Sequence, residues 1–223
     1  MGRLQREDTG WVDEHLPDWR NAIYTVDNTS YPLSTPHNKG REANAYLLYI
    51  IQHYDRLPAI IAFLHSHRDG YPVGWHTDVP GYDNVLAMQT LRIDAVKHYG
   101  YVNLRCNWIP GCPDEVRPLS SAHNNPNNVQ CQMPLVWRHF FGELSDVPDV
   151  IATPCCAQFV VSREQVWKRP LEDYKRYHQW LMDTSLNDDI SGRILEYLWH
   201  IIFGMDPVHC PDMNQCYRDV YGR

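Results

Sequence analysis

The chain has 223 residues, 43% of them hydrophobic and 21% charged, with a formal net charge of −7. That length and balance suit a single globular domain over residues 1–223, and the acidic balance counts against a nucleic-acid platform, which carries a basic footprint. No apolar run reaches the ~18 residues of a membrane helix, and residues 1–20 are polar and charged where a signal peptide would be apolar.

Taken in order, residues 9–16 predict a short helix that Thr9 can cap and Pro17 ends. Residues 22–26 (AIYTV) predict a short strand, and Pro32, Pro36 and Gly40 mark a loop before the next element. Ala43, Tyr46, Leu47, Ile50, Ile51 and Tyr54 then recur at spacings of three and four, which predicts a helix over 42–54. Pro58 separates it from the unbroken apolar run 59–64 (AIIAFL), which reads as a strand buried on both faces. Strand, helix and strand in about forty residues form a βαβ signature with parallel strands and a right-handed crossover.

A second amphipathic helix is predicted over 85–99, stopped by Gly100, and a strand over 101–104. Residues 107–128 form a long loop of the kind that serves as a functional lid or is disordered. A short helix over 136–141 follows, then strands over 150–152 and 157–161, broken at Pro154-Cys155-Cys156. Helices are predicted from Glu164 after a Ser162 cap, over 170–182, and over 191–203, with loop beyond Gly204. The fold class is therefore α/β: a Rossmann-like, mostly parallel sheet with helices on both faces and a helical C-terminal third.

The seven cysteines admit three readings. They are buried thiols in a reducing compartment such as the cytoplasm, local disulfides (Cys106 with Cys112, Cys210 with Cys216) in a secretory-pathway lumen, or zinc ligands.

Polar chemistry concentrates where the 59–64 strand ends. Alternate strand residues share a face, so His65 and His67 stand side by side at the carboxyl end, where open α/β sheets place ligands. With His76 they make a workable three-imidazole set for a divalent metal, with Asp69 or Asp78 as a possible carboxylate. Without metal they suit acid–base work near neutral pH, and a third alternative is plain structural hydrogen bonding. Glu42 opens its helix at the same sheet edge, and Glu196 sits in an otherwise apolar helix, so both are candidate acids or bases. Charge complementarity with the helix N-terminus is the alternative for Glu42, and pairing with Arg193 for Glu196. Lys39, Arg41, Arg68 and Arg105 are candidate anion contacts for a small-molecule substrate, Trp75 and Trp108 pocket walls, and Gln158 a further contact. Cys155 or Cys156 as a nucleophile requires a thiolate beside a base.

Several blocks carry a family resemblance. They include Asn38-Lys39-Gly40-Arg41-Glu42, Tyr54-Asp55 with Leu57-Pro58, Phe63-Leu64-His65 with His67-Arg68, Trp75-His76, Pro154-Cys155-Cys156-Ala157-Gln158-Phe159, and Ser191-Gly192-Arg193 with Glu196-Tyr197. Together they resemble a large, mainly fungal family of domains of unknown function, over nearly the whole chain. A second resemblance, resting on residues 157–164 and on Glu196, is to GT-A nucleotide-sugar glycosyltransferases. It implies a glycosyltransferase-like core and an enzyme acting on a polar small molecule, in the setting of fungal specialised metabolism. The chain departs from that pattern in lacking Asp-x-Asp and the apolar strand expected before Glu7. The first departure favours a cyclase, lyase or isomerase on the same core. A non-catalytic lectin-like or interaction module is the reading from another class.

Overall fold

The computed structural model describes residues 1–71, 74–120, 125 and 128–223. In chain order the elements are β1 (Gly2–Arg3), α1 (Gly10–His15), β2 (Tyr24–Thr25), α2 (Glu42–His53), β3 (Ile60–Phe63), α3 (Asn84–Thr90), α4 (Ile93–Tyr99) and β4 (Tyr101–Asn103). There follow α5 (Val129–Phe141), β5 (Phe159–Ser162), α6 (Arg163–Val166), α7 (Leu171–Asp183), α8 (Asp188–Ile202) and α9 (Met213–Tyr221).

The centre is a three-stranded sheet in the order β3-β5-β4. Side chains alternate across it. Ile61, Phe63, Tyr101, Phe159 and Val161 join one buried apolar cluster with α2, α5, α7 and α8. Val102, Val160 and Leu64 join a second with α1, α3, α4 and α9. Helices thus cover both faces of the sheet, as expected of an α/β chain, and α7 to α9 make the C-terminal third helical.

The strand directions correct the expectation of a mostly parallel sheet. β5 runs antiparallel to both neighbours, with Phe63 opposite Phe159 and Asn103 opposite the same residue. β2 pairs in parallel with β1, not with β3, so the predicted crossover links two different sheets. The apolar run predicts burial on two faces, but β3 lies at the edge of the sheet with Ile60 and Ala62 only half-buried; β5, the middle strand, is buried at every residue, and burial carries no information on direction. β1 also shows that a strand does precede Glu7, although it is two residues long and polar.

Four further elements differ from expectation. Residues 150–152 form no strand, only single bridges from Ile151 to Val116 and from Ala152 to Val208. The predicted 85–99 helix is two helices, α3 and α4, broken where Arg92 N donates to Val220 O of the last helix (2.8 Å). α5 begins seven residues before the predicted 136, capped by the Asn128 side chain on Gln130 N, and passes through Pro134. The tail contains α9, whose Val220 and Tyr221 are buried. Part of the predicted 107–128 loop, residues 121–124 with 126 and 127, lies outside the described residues.

Six of the seven cysteines pair, and the two pairs expected to be local are long-range. Cys106 bonds Cys216 and Cys112 bonds Cys210, two rungs of one ladder between the segment after β4 and the start of α9. The equal five-residue spacings that predicted local bridges are the rung separations of two strands of chain lying side by side. Cys155 bonds Cys156, so neither is a thiolate nucleophile in this structure.

Candidate metal and acid–base site

β3 and β4 end, and β5 begins, at the same edge of the sheet. Beyond Phe63 the chain runs out over that edge as Leu64-His65-Ser66-His67, held by Trp11, whose indole N–H donates to Ser66 O (2.9 Å). It comes back to that edge at His76. Gly74 packs against the Asp69 backbone, which a Cβ there would strike.

The three imidazoles converge. Their ring centroids lie 5.4 Å (His65–His67), 4.6 Å (His65–His76) and 5.0 Å (His67–His76) apart. One nitrogen from each can be chosen so that all three fall within 4.8 Å of one another. His65 Nδ1 and His76 Nδ1 are 2.8 Å apart and share a proton, whereas Nε2 of His65 and of His67 are buried with no partner among the described residues. Buried polar atoms without partners are rare and ask for a missing ligand. Burial, reinforced by the neighbouring imidazoles, holds His65 well below the usual histidine range. Burial also lowers His67, against the opposing pull of Glu7. His76 is lowered to about 4 by burial, with His67 and Arg105 adding to the effect. All three are therefore neutral at pH 7, the form that binds metal.

The imidazoles open on a cavity of about 460 Å³, walled also by Arg3, Glu7, Asn38, Arg41 and Glu42. Glu42 reaches it because α2 docks closely at its start. Gly40, at φ +68, packs where a Cβ would strike Leu181 of α7, and Gly192 of α8 lies against Gly40 O and the Arg41 stem. Burial, then the charge of Glu196, raises Glu42 to about 7, so the carboxyl is half protonated at neutral pH. Glu196 is also raised, chiefly by burial. Its Oε1 accepts from Cys156 N (2.9 Å), and Arg193 acts on it from further off. Glu196 acts on Glu42 through its charge and is not one of the residues that line the cavity.

The other residues singled out in the sequence fall elsewhere. Lys39 donates to Thr184 O (2.7 Å) and Leu186 O (3.2 Å), tying the loop before α8 to the start of α2. Arg41 lines the cavity and forms an ion pair with Asp189. Arg68 pairs with Asp83 (3.3 Å) and Asp69 (3.5 Å), away from the imidazoles. Arg105 donates to Trp75 O (2.9 Å) and Ile109 O and stacks 5.2 Å from the Trp75 ring. It lines a separate cavity beside the disulfide ladder. Trp75 touches the site through His76 (5.1 Å between rings), while the Trp108 indole donates to Pro211 O (2.7 Å). Asp78 accepts from Cys106 N, Asn107 N and Tyr217 OH, which commits it to the chain after β4 and to α9. Gln158 is fully buried, at 1% exposure.

Arg3 and Glu7 were not singled out by sequence reasoning. Arg3 sits in a two-residue strand, too short for any periodicity, and Glu7 follows it.

Fold and site together define an α/β domain with helices on both faces and a three-histidine cavity at one edge of its central sheet. By sequence the chain belongs to the family described as "Protein of unknown function (DUF3431)", whose model matches residues 1–219. No curated protein and no solved structure matches it.

Proposed function

We propose that the chain is a small enzyme that carries out metal-assisted acid–base chemistry on a polar small molecule in the histidine cavity. His65, His67 and His76 hold a divalent transition metal and leave positions open for substrate, while Glu42 takes or gives the proton. The observation that carries this reading is the meeting of three neutral, buried imidazoles with a carboxyl poised near neutrality in one cavity. A general acid–base is most effective when its pKa lies near the working pH. Proton transfer beside a Lewis acid fits a lyase, isomerase or cyclase.

Glycosyl transfer on a GT-A-like core is the second reading. It is favoured by the two guanidinium side chains, Arg3 and Arg41, that line the same cavity and suit a diphosphate. The three disulfides support an oxidising setting such as the secretory-pathway lumen. Fungal specialised metabolism is the setting that the family resemblance supplies.

Elemental analysis of the purified protein, followed by calorimetric titration of the EDTA-treated protein with Zn²⁺, Co²⁺ and Mn²⁺, tests the metal. Near-stoichiometric binding that is lost in His65→Ala/His67→Ala supports the reading; no binding of any of the three overturns it. Thermal shift with UDP- and GDP-sugars separates the two chemistries, since stabilisation by a donor supports transfer and its absence supports the acid–base enzyme.

A further inference from the structure

Two buried amide side chains, Asn84 and Gln158, form a closed pair beneath the imidazoles. They are 0% and 1% exposed. Asn84 Nδ2 donates to Gln158 Oε1 (3.1 Å), and Gln158 Nε2 donates to Asn84 Oδ1 (2.9 Å). Each amide has a second N–H. That of Asn84 goes to His67 O (2.9 Å), and that of Gln158 to His76 O (3.3 Å). The remaining lone pair of Gln158 Oε1 accepts the backbone N–H of His65 (2.8 Å).

One pair of side chains thus grips the main chain of all three histidines, and does so from two other elements, the first residue of α3 and the residue before β5. The hydrogen-bond sense is fixed by the partners. Turning the Gln158 amide over would set its NH₂ against the His65 N–H and its oxygen against the His76 carbonyl, two repulsions in place of two bonds. All four amide hydrogens and three of the four acceptor positions are used, so Gln158 has no capacity left for a substrate and Asn84 keeps a single buried lone pair.

We propose that Asn84 and Gln158 are the positioning residues of the three-histidine centre. They set the relative placement of His65, His67 and His76 through the backbone rather than through the rings. This rests on the reading of that centre as a metal site, and it moves Gln158 from substrate contact to scaffold. The requirement is chemical. A metal at 2.0–2.1 Å from each ligand nitrogen tolerates displacements of only a few tenths of an ångström. Histidines on a strand end and on a returning loop have no shared secondary structure to fix them. A closed amide pair supplies that link, as outer-shell partners of metal ligands do elsewhere.

The test uses the full-length oxidised protein in four forms: wild type, Asn84→Ala, Gln158→Ala, and a control, Val136→Ala, in the opposite apolar cluster. Co²⁺ titration reads affinity and the visible ligand-field spectrum, and urea unfolding reads stability. The two amide variants are expected to lose at least about tenfold in Co²⁺ affinity and to change the spectrum, while the control keeps both at whatever stability it has. Wild-type affinity and spectrum in both amide variants would overturn the proposal.

Should the alanine variants fail to fold, Gln158→Glu keeps the size and the acceptor for His65 while removing the donors to His76 O and Asn84 Oδ1. It is expected to change the Co²⁺ spectrum. A second readout needs no metal. In the metal-free protein the proton shared by His65 and His76 gives a slowly exchanging imidazole NMR signal, expected in wild type and control and lost in Gln158→Ala or Gln158→Glu. If wild type binds no Co²⁺, the metal reading falls and this signal alone decides the positioning role: retention in the variants refutes it, loss upholds it.

Discussion

Replacing Glu42 by Gln removes an ionisation that the fold penalises, and the consequence for stability has a definite sign. Glu42 titrates near 7 in the folded chain against 4.5 as an ordinary glutamate. Below pH 4.5 both states hold the proton and there is no penalty. Between pH 4.5 and 7 the unfolded chain ionises while the folded one does not, so stability falls as pH rises. Above 7 both are ionised and the loss is complete. At about 1.36 kcal/mol per pKa unit, the 2.5-unit difference caps the loss at roughly 3.4 kcal/mol. Water entering the cavity trims it to about 1–3 kcal/mol. Glu42→Gln stays neutral throughout, so it should match wild type at pH 4.5 and exceed it by about 1–3 kcal/mol at pH 8. Urea denaturation of both proteins at the two pH values, with EDTA present and disulfides intact, measures this directly. Taking the difference between variants cancels the titrating groups that do not feel Glu42, and leaves its coupling to Glu196 inside the measured gap. A gap of the same size at both pH values would show that Glu42 ionises as a solvent-exposed carboxylate, and its role as a proton carrier near neutrality would fail with it.

Three other outcomes follow from the structure. His67→Ala removes one of the three imidazoles and should raise the Zn²⁺ dissociation constant by at least about 100-fold in calorimetric titration; an unchanged constant would place the metal elsewhere. Gly40→Ala forces a left-handed residue and a methyl group against Leu181, which should cost about 2–4 kcal/mol in urea unfolding; a neutral result would mean that α2 can start without close docking on α7. Cys106→Ser/Cys216→Ser removes one rung while Cys112–Cys210 keeps the long loop closed, and should cost about 2–3 kcal/mol yet leave Co²⁺ affinity unchanged, because neither cysteine lines the histidine cavity.

The histidine centre was legible because it obeys two local rules. His65 and His67 are two apart where an apolar run stops, and His76 follows within one short loop. Glu42 was legible as the first residue of the clearest amphipathic helix. The strand order was not, since a central antiparallel strand and a parallel one carry the same apolar run, and FVVS over 159–162 satisfies both. Nor was the ladder of cysteines, because the spacing of two rungs within one segment equals the spacing of a local bridge. The tail helix escaped notice because its apolar face is short, Val220 and Tyr221 being its only buried residues.

Gln158 shows the deeper limit. In the sequence it is a polar residue beside a strand at the site edge, which describes a substrate contact and a buried scaffold equally well. What separates them is whether its four hydrogen-bonding positions are already taken, and that depends on Asn84, 74 residues away, and on two backbone groups, His65 N–H and His76 O, that no sequence pattern brings together. The same holds for the cavity as a whole. β1, the start of α2, the end of β3 and the returning loop each contribute a few atoms, and none is covalently tied to another across the site. Convergence of the imidazoles is then a property of packing and of satisfied amides. Individual residue types can be guessed from the chain, while the geometry that gives them chemistry comes from the folded structure.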